Sequence, residues 1–119
     1  MQNHTIPTNK SVLPPISINP DVWTDISRMN TLNLEQARKN ESKHICPLQL
    51  DIIERLIERY SNKGETVGDF FGGIMSVPYQ AVKMGRKGWG CELNTSYWKD
   101  GIKHLKSAEL KQATTLTLF

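Results

Sequence analysis

The ten residues from Val67 to Ser76, VGDFFGGIMS, place a carboxylate and a glycine pair where a strand would turn into a helix. At Gly72 and Gly73 a ligand can approach the backbone, because no Cβ stands in the way. Glu92 lies twenty residues beyond Gly72, about the spacing at which a carboxylate reaches ribose hydroxyls in nucleotide-type sites. These residues fit a dinucleotide site or an S-adenosylmethionine site, and they fit a plain turn before a helix equally well.

Two residues of this loop are larger than those a cofactor loop ordinarily carries. Phe70 stands at the entry of the loop, and Met75 stands where a charged ligand would meet bare backbone. We expect the Met75 side chain to fill the approach of the ligand. The loop would then bind its cofactor weakly or not at all.

The segments around the loop predict helices and strands in alternation. The first is a helix that has Pro47 in its first turn and a stripe of apolar residues, Ile53, Leu56, Ile57 and Tyr60. After it we predict a strand at 65–70, a helix over 76–84, a strand at 86–93, and a helix from Asn94 or Thr95 to about Lys111 with Trp98, Ile102 and Leu105 facing inward. This order predicts an α/β fold, a partial doubly wound parallel sheet with a right-handed βαβ crossover.

The two ends of the chain differ in composition from this central part. Residues 1–20 contain four of the 6 prolines and no apolar periodicity, which predicts an extended N-terminal arm. We assign residues 21–111 to one α/β domain. Residues 112–119 end in the alternating sequence TTLTLF, which predicts a closing strand or a peptide tail.

Charge and cysteine content bound the class of protein. The formal net charge is +3, and Lys83, Arg86 and Lys87 form its tightest cluster, which fits either a contact with nucleic acid or a partner, or a solvated helix end. Cys46 and Cys91 are too few for a disulfide framework, which favours the cytoplasm. Since no apolar run approaches the roughly 20 residues of a membrane span and no metal-ligand spacing is visible, we expect neither a membrane nor a metal as partner.

Three blocks in order, KHICPLQ, VGDFFGGIMS and GWGCEL, resemble the C-terminal third of the DNA methyltransferases that act on adenine N6 or cytosine N4. The resemblance covers residues 21–106 and is nearest to small phage-borne members, which work in a bacterial host. It implies a Rossmann-like methyltransferase fold and S-adenosylmethionine as cofactor. The residues that it assigns to the cofactor are His44, Cys46, Pro47, Asp69, Phe71, Gly73, Ser76 and Glu92. For His44 and Cys46 the alternatives are a helix cap and a core residue.

This sequence departs from the family at its catalytic motif, a polar residue followed by Pro-Pro and an aromatic residue, which grips a flipped base. The pair Pro14-Pro15 lies between Leu13 and Ile16, which supply neither the polar acceptor nor the ring. We therefore expect no catalytic residue and no methylation by the chain alone. The chain would be the cofactor half, or a remnant, of a DNA methyltransferase. The alternative is a phage-derived binding protein that inhibits a host nucleic-acid defence complex, as an anti-CRISPR protein does; a free-standing oxidoreductase ranks third.

A half sheet has an uncovered strand edge and an uncovered face, and both invite pairing. We therefore expect a homodimer or a complex with another protein, besides DNA. Phe70, Phe71, Trp89 and Trp98 are the candidates for the uncovered surface, although core packing explains Phe71 and Trp89 as well.

The last residues suggest a further partner. Leu116, Leu118 and Phe119 resemble the short peptide by which bacterial DNA-processing proteins dock in extended form on the replication sliding clamp. A closing edge strand is the alternative for the same residues.

Overall fold

The structure, a computed structural model, describes residues 22–33 and 46–118. These residues form the helices and strands α1 (Leu50–Tyr60), β1 (Thr66–Asp69), α2 (Ser76–Lys83), β2 (Lys87–Gly90) and α3 (Thr95–Thr117). The order of the elements is the predicted one, and the partial α/β fold is confirmed. The predictions for the arm at 1–20, for His44 and for Phe119 lie outside the described residues.

The two strands form a parallel pair, with Gly68 opposite Trp89 and Asp69 opposite Gly90. Helix α2 lies against one face of this pair at very short range, since a Cβ added at Gly88 would stand 2.5 Å from the carbonyl oxygen of Pro78. Glycine at this position is what allows the helix backbone to come so close to the strand. The close approach fixes the position of the loop that joins β1 to α2.

Helix α1 packs on α2 through one apolar face. The buried core consists of Leu50, Ile53 and Ile57 from α1 together with Tyr79, Ala81 and Ala108. The helix begins at Leu50 rather than at Pro47, so the prediction of Pro47 in its first turn is wrong. Asn30 defines this start, because its carbonyl accepts a hydrogen bond from the Leu50 N–H at 2.8 Å.

The segment 22–33 runs along the outer flank of α1 and is held there by polar contacts. Asp25 accepts two hydrogen bonds from the Arg55 guanidinium, at 2.8 and 2.5 Å, and the hydrogen bond from Arg55 lowers the pKa of the Asp25 carboxyl. The Trp23 ring lies 5.1 Å from the same guanidinium. Asp51 accepts from the Ser27 N–H at 2.7 Å. These contacts attach the segment to α1.

Helix α3 differs from its prediction at both its C-terminus and its buried face. Asn94 caps it as predicted, accepting from the N–H groups of Ser96 and Tyr97. The helix continues to Thr117, so the strand predicted within 112–119 is wrong. Its buried residues are Gly101 and Ala108, whereas Trp98, predicted to face inward, is 45% exposed. The two small residues allow α3 to pack closely on α2 and on the loop before it. None of the described helices is both long and apolar enough to cross a membrane.

Candidate functional site

A cavity of about 210 Å³ opens at the carboxyl end of β1. It brings together two of the three predicted blocks, because Cys46 and Pro47 line one side and Asp69, Phe71, Gly72, Gly73 and Ser76 line the other. Open α/β sheets bind their ligands at this end of the strands. Cys46 is exposed, so the alternative that assigned it to the core is wrong.

The loop that forms the cavity is held in shape by its own backbone. The Asp69 carboxylate accepts from the Phe71 N–H at 2.9 Å, and the Gly72 N–H donates to the Cys91 carbonyl at 2.8 Å. A further bond, from the Met75 N–H to the Gly72 carbonyl at 2.7 Å, closes the turn before α2. The loop is therefore fixed to the ends of both strands by its own hydrogen bonds.

Of the two glycines, Gly73 is the one that leaves room for a ligand. It has a positive φ of 56°, and a Cβ added there would meet nothing within 4 Å. A Cβ added at Gly72 would instead stand 2.6 Å from the Met75 sulfur and 3.1 Å from the Cys91 carbonyl oxygen. Gly72 is thus needed for the close packing of Met75 and Cys91. Of the two positions where we predicted backbone accessible to a ligand, only Gly73 has it.

Met75 adopts a left-handed conformation, with φ 66° and ψ 37°, which costs a residue other than glycine roughly 1–2 kcal/mol. Its side chain is 1% exposed and fills a recess whose walls include Gly72, Gly90 and Gly101. The cavity lining does not include it. The expectation that Met75 fills the ligand's approach is therefore wrong. Glycine adopts this conformation without steric cost, and burial of the Met75 side chain offsets the strain here.

Glu92 follows β2 and connects the loop to α3. One of its carboxylate oxygens accepts from the Gly73 N–H at 2.9 Å, and the other accepts from the Asn94 N–H at 2.8 Å. A carboxylate has about four acceptor positions, so both oxygens retain capacity for ligand hydroxyls. The residue predicted to bind ribose therefore holds the loop backbone at Gly73, although it is not among the residues that line the cavity.

The basic cluster lies apart from the cavity. Lys87 begins β2, so it stands at the opposite end of the sheet, and Lys83 ends α2. Arg86 is 4% exposed, and its guanidinium donates to the carbonyls of Met84 and Ser61, each at 2.8 Å. The prediction of Arg86 as a contact for nucleic acid or a partner is therefore wrong, because this side chain ties the C-terminal ends of α1 and α2 together. Lys83 and Lys87 are exposed.

Of the two C-terminal leucines, Leu116 lies on α3 and Leu118 directly follows its last residue. Leu116 and Leu118 are 70% and 76% exposed, and Leu116 is in the last turn of α3. Docking on a sliding clamp in extended form would require this turn to unwind. The clamp contact stays a prediction.

The sequence analysis does not assign four apolar residues that line the cavity to the site, namely Leu48, Ile53, Ile74 and Val77. Leu48 directly follows Pro47, a residue assigned to the cofactor, and this adjacency could have indicated that Leu48 lines the site. Ile53 is part of the apolar stripe predicted for the first helix, and it also belongs to the buried core. Within the described ranges, no group of three or more His, Cys, Asp or Glu side chains is placed to hold a metal ion.

Comparisons with known proteins agree on one family. The model of the N6/N4 DNA methylase family matches residues 9–103. The type II methyltransferase M1.MboII of Moraxella bovis is 41% identical over 54 residues, which make up 45% of this chain and 21% of that protein.

Two solved structures share the fold of about half the chain. The complex of M1.HpyAVI with SAM is 25% identical, with a TM-score of 0.51, over 55% of this chain and 32% of that one. TTHA0409 of Thermus thermophilus, assigned as a DNA modification methylase, is 27% identical with a TM-score of 0.50, over 52% and 26% of the two chains. The chain therefore spans about a quarter to a third of these solved structures and about a fifth of M1.MboII.

Proposed function

Because the chain belongs to the family of DNA methylases that act on adenine N6 and cytosine N4, we propose that its residues form the S-adenosylmethionine-binding part of such an enzyme. The observation that carries this proposal is the cavity at the carboxyl end of β1, where the block around Pro47 meets the loop from Asp69 to Ser76. Both blocks belong to the residues that the family resemblance assigns to the cofactor.

The cavity and the Glu92 carboxylate, which is bonded to the Gly73 N–H, each have a role in this proposal. The open backbone of Gly73 lets the cofactor approach closely, and Glu92 accepts hydrogen bonds from its ribose hydroxyls. Cys46 and Pro47 line the side that faces the methionine end. The bound cofactor would supply a methyl group on a sulfonium, which an amino nitrogen of DNA accepts. The part that grips the target base is, in this proposal, supplied by a partner.

Binding by these residues alone is weak in this proposal. The cavity has a volume of about 210 Å³, while pockets that enclose a drug-sized ligand have roughly 300–1,000 Å³. Part of the cofactor would therefore stay in solvent until a partner covers it. Weak binding thus follows from an open cavity wall rather than from Met75.

Titration calorimetry with S-adenosylmethionine tests the proposal, and two glycines provide a matched pair of variants. Gly73 and Gly64 both have a positive φ, 56° and 85°, and open space around an added Cβ. Gly73→Ala and Gly64→Ala should each cost roughly 1–2 kcal/mol of stability. Only Gly73→Ala should weaken binding, since its methyl group projects from the loop. Equal affinities of the two variants, or no heat with the unaltered chain at millimolar cofactor, would refute the proposal.

A second candidate function is a non-enzymatic binding protein, such as an inhibitor of a host nucleic-acid defence complex. The observation in its favour is the exposed apolar surface beside the loop, where Phe70 and Phe71 are 72% and 90% exposed and Leu93 is fully exposed. Surfaces of this kind mark contacts with other proteins. The same titration separates the two candidates, because this one requires no cofactor.

A further inference from the structure

Strand β1 has a partner on one side only in the part of the chain that the structure describes. The carbonyls of Glu65 and Asp69 accept hydrogen bonds from the N–H groups of Lys87 and Cys91. Since alternate residues of a strand face the same neighbour, the N–H and C=O groups of Thr66 and Gly68 face the open edge. Such an edge pairs readily with an added strand.

An apolar groove of about 520 Å³ runs beside this edge. Its wall on the helix side includes Ile53, Leu56 and Tyr60 of α1, and its wall on the sheet side includes Thr66 and Val67 of β1. Leu56 and Tyr60, which belong to the apolar stripe predicted for α1, are 42% and 63% exposed. Both line the groove together with Thr66 and Val67. The combination of open backbone groups and an apolar wall fits an extended strand better than a helix.

The groove is continuous with the cofactor cavity. Leu48, Ile53 and Val77 line both. A strand in the groove would therefore end beside the loop at Asp69 and would form the missing wall of the cavity.

We propose that this groove receives a β-strand of a partner protein, with apolar side chains at alternate positions pointing toward α1. A second copy of the chain fits less well, because its described strands have too few apolar side chains to offer. Toward the helix layer, β1 presents Val67 and Asp69, and β2 presents Gly88 and Gly90. A docked strand needs two or more apolar residues to cover Leu56 and Tyr60.

The source of the strand is the part of a methylase that this chain does not match. M1.MboII aligns over 21% of its length, so most of its sequence is available to supply a strand. This step rests on the proposed function, whereas the docking itself requires no cofactor.

The test uses overlapping fluorescein-labelled peptides of about twelve residues that cover M1.MboII outside the 54 matched residues. Fluorescence anisotropy without cofactor should reveal at least one binding peptide with alternating apolar residues. Hydrogen exchange by NMR should show the amides of Thr66 and Gly68 slowed at least tenfold by that peptide. Replacing its alternate inward residues by proline should abolish binding.

Two variants separate the groove from the rest of the surface. Leu56→Glu should weaken binding of the peptide at least tenfold, and Leu110→Glu, at a position 70% exposed on α3, should leave it unchanged. The absence of any binding peptide, or binding without slower exchange at Thr66 and Gly68, would overturn the proposal. Protection of the two amides that rises with chain concentration in the absence of peptide would also overturn it, by assigning the groove to a second copy. A negative titration with S-adenosylmethionine would leave all these results untouched.

Discussion

In the proposed function, Glu92 combines a structural and a ligand-binding role in one carboxylate. Its bonds to the N–H groups of Gly73 and Asn94 hold the loop against the start of α3. We expect Glu92→Ala to reduce the affinity for S-adenosylmethionine by roughly 1.5–3 kcal/mol, the range for a hydrogen bond to a charged group. That reduction corresponds to about 10- to 150-fold in the dissociation constant.

Glu92→Gln is the control for this prediction. The amide keeps one acceptor oxygen and the length of the side chain, so it should lose less affinity than alanine does. Calorimetry on both variants measures the difference. Equal affinity of Glu92→Ala and the unaltered chain would show that the carboxylate only supports the loop.

Met75 is a position where glycine should be tolerated better than alanine. Met75→Ala removes a buried side chain and keeps the strained φ of 66°, so it should cost about 2–5 kcal/mol of unfolding free energy. Met75→Gly removes the same contacts and also relieves the strain, so it should be about 1 kcal/mol more stable than Met75→Ala. Urea unfolding of the two variants measures this order.

Ile57 provides the reversed case. It is 5% exposed within α1, where glycine is less favourable than alanine by about 1 kcal/mol. Ile57→Gly should therefore be less stable than Ile57→Ala. If Met75 showed the same order as Ile57, the left-handed backbone at Met75 would not be a source of strain.

At the level of elements, the sequence predicts the order and type of the helices and strands well, because clear start and stop residues separate them. Gly85, with a positive φ of 78°, follows the end of α2, where glycine commonly ends a helix. The C-terminal end of α3 differs from the prediction because the alternation of TTLTLF indicates a strand only if the hydroxyl groups of its threonines are ignored. Within the helix, the hydroxyl groups of Thr114, Thr115 and Thr117 each donate a hydrogen bond to the carbonyl four residues earlier. Periodicity alone cannot reveal such local bonds.

The buried face of α3 was missed for a different reason. Large apolar residues were expected to face inward, but the buried residues of α3 are Gly101, which lies against Met75 and Ile74, and Ala108. The direction of the Met75 side chain was missed for the same reason, since Gly101 forms part of its recess. Small residues that create space for a neighbour have little hydrophobicity of their own. Their role is visible only when the neighbour is known.

The contact between α2 and α3 gives the fold a dependence on pH. His104 forms an edge-on contact with Tyr79, with ring centroids 6.3 Å apart, and its buried Nε2 has no hydrogen-bond partner in the described ranges. Burial lowers the pKa of His104 from 6.5, Asp100 opposes this, and Lys103 and Lys111 add to it. The unfolded chain therefore takes up the proton at a higher pH than the folded chain does.

The sign of the effect follows from this difference. Where the unfolded state binds more protons, stability rises with pH, so the contribution of His104 is fully present above pH 6.5 and is lost as pH falls toward the folded-state pKa. Urea unfolding between pH 7.5 and about 5 should show this decline, and His104→Gln should reduce it. An equal decline in His104→Gln would place the titrating group elsewhere.

At the scale of the whole molecule, helices cover one face of the sheet, and nothing in residues 22–33 and 46–118 covers the other, open face. Phe70 and Trp89 lie on the open face, where their rings meet edge to face at 5.3 Å. They are 72% and 48% exposed, so the alternative that placed Trp89 in the core is wrong. Phe71, at 90% exposure, is also outside the core. Aromatic side chains gain more from burial than any others of the chain, which makes this face a site for association.

We expect the isolated chain to self-associate through this open face, because contact between two copies would remove Phe70 and Trp89 from water. Light scattering should give a mass above the 13.5 kDa of one chain, rising with concentration. Replacing both aromatic residues by threonine should return the mass to 13.5 kDa, since threonine suits a strand and offers little apolar surface. Leu56→Glu, which changes the groove between α1 and β1 and not the open face, should leave the association unchanged. A mass of 13.5 kDa for the unaltered chain at every accessible concentration would contradict this prediction and leave the face to a different partner.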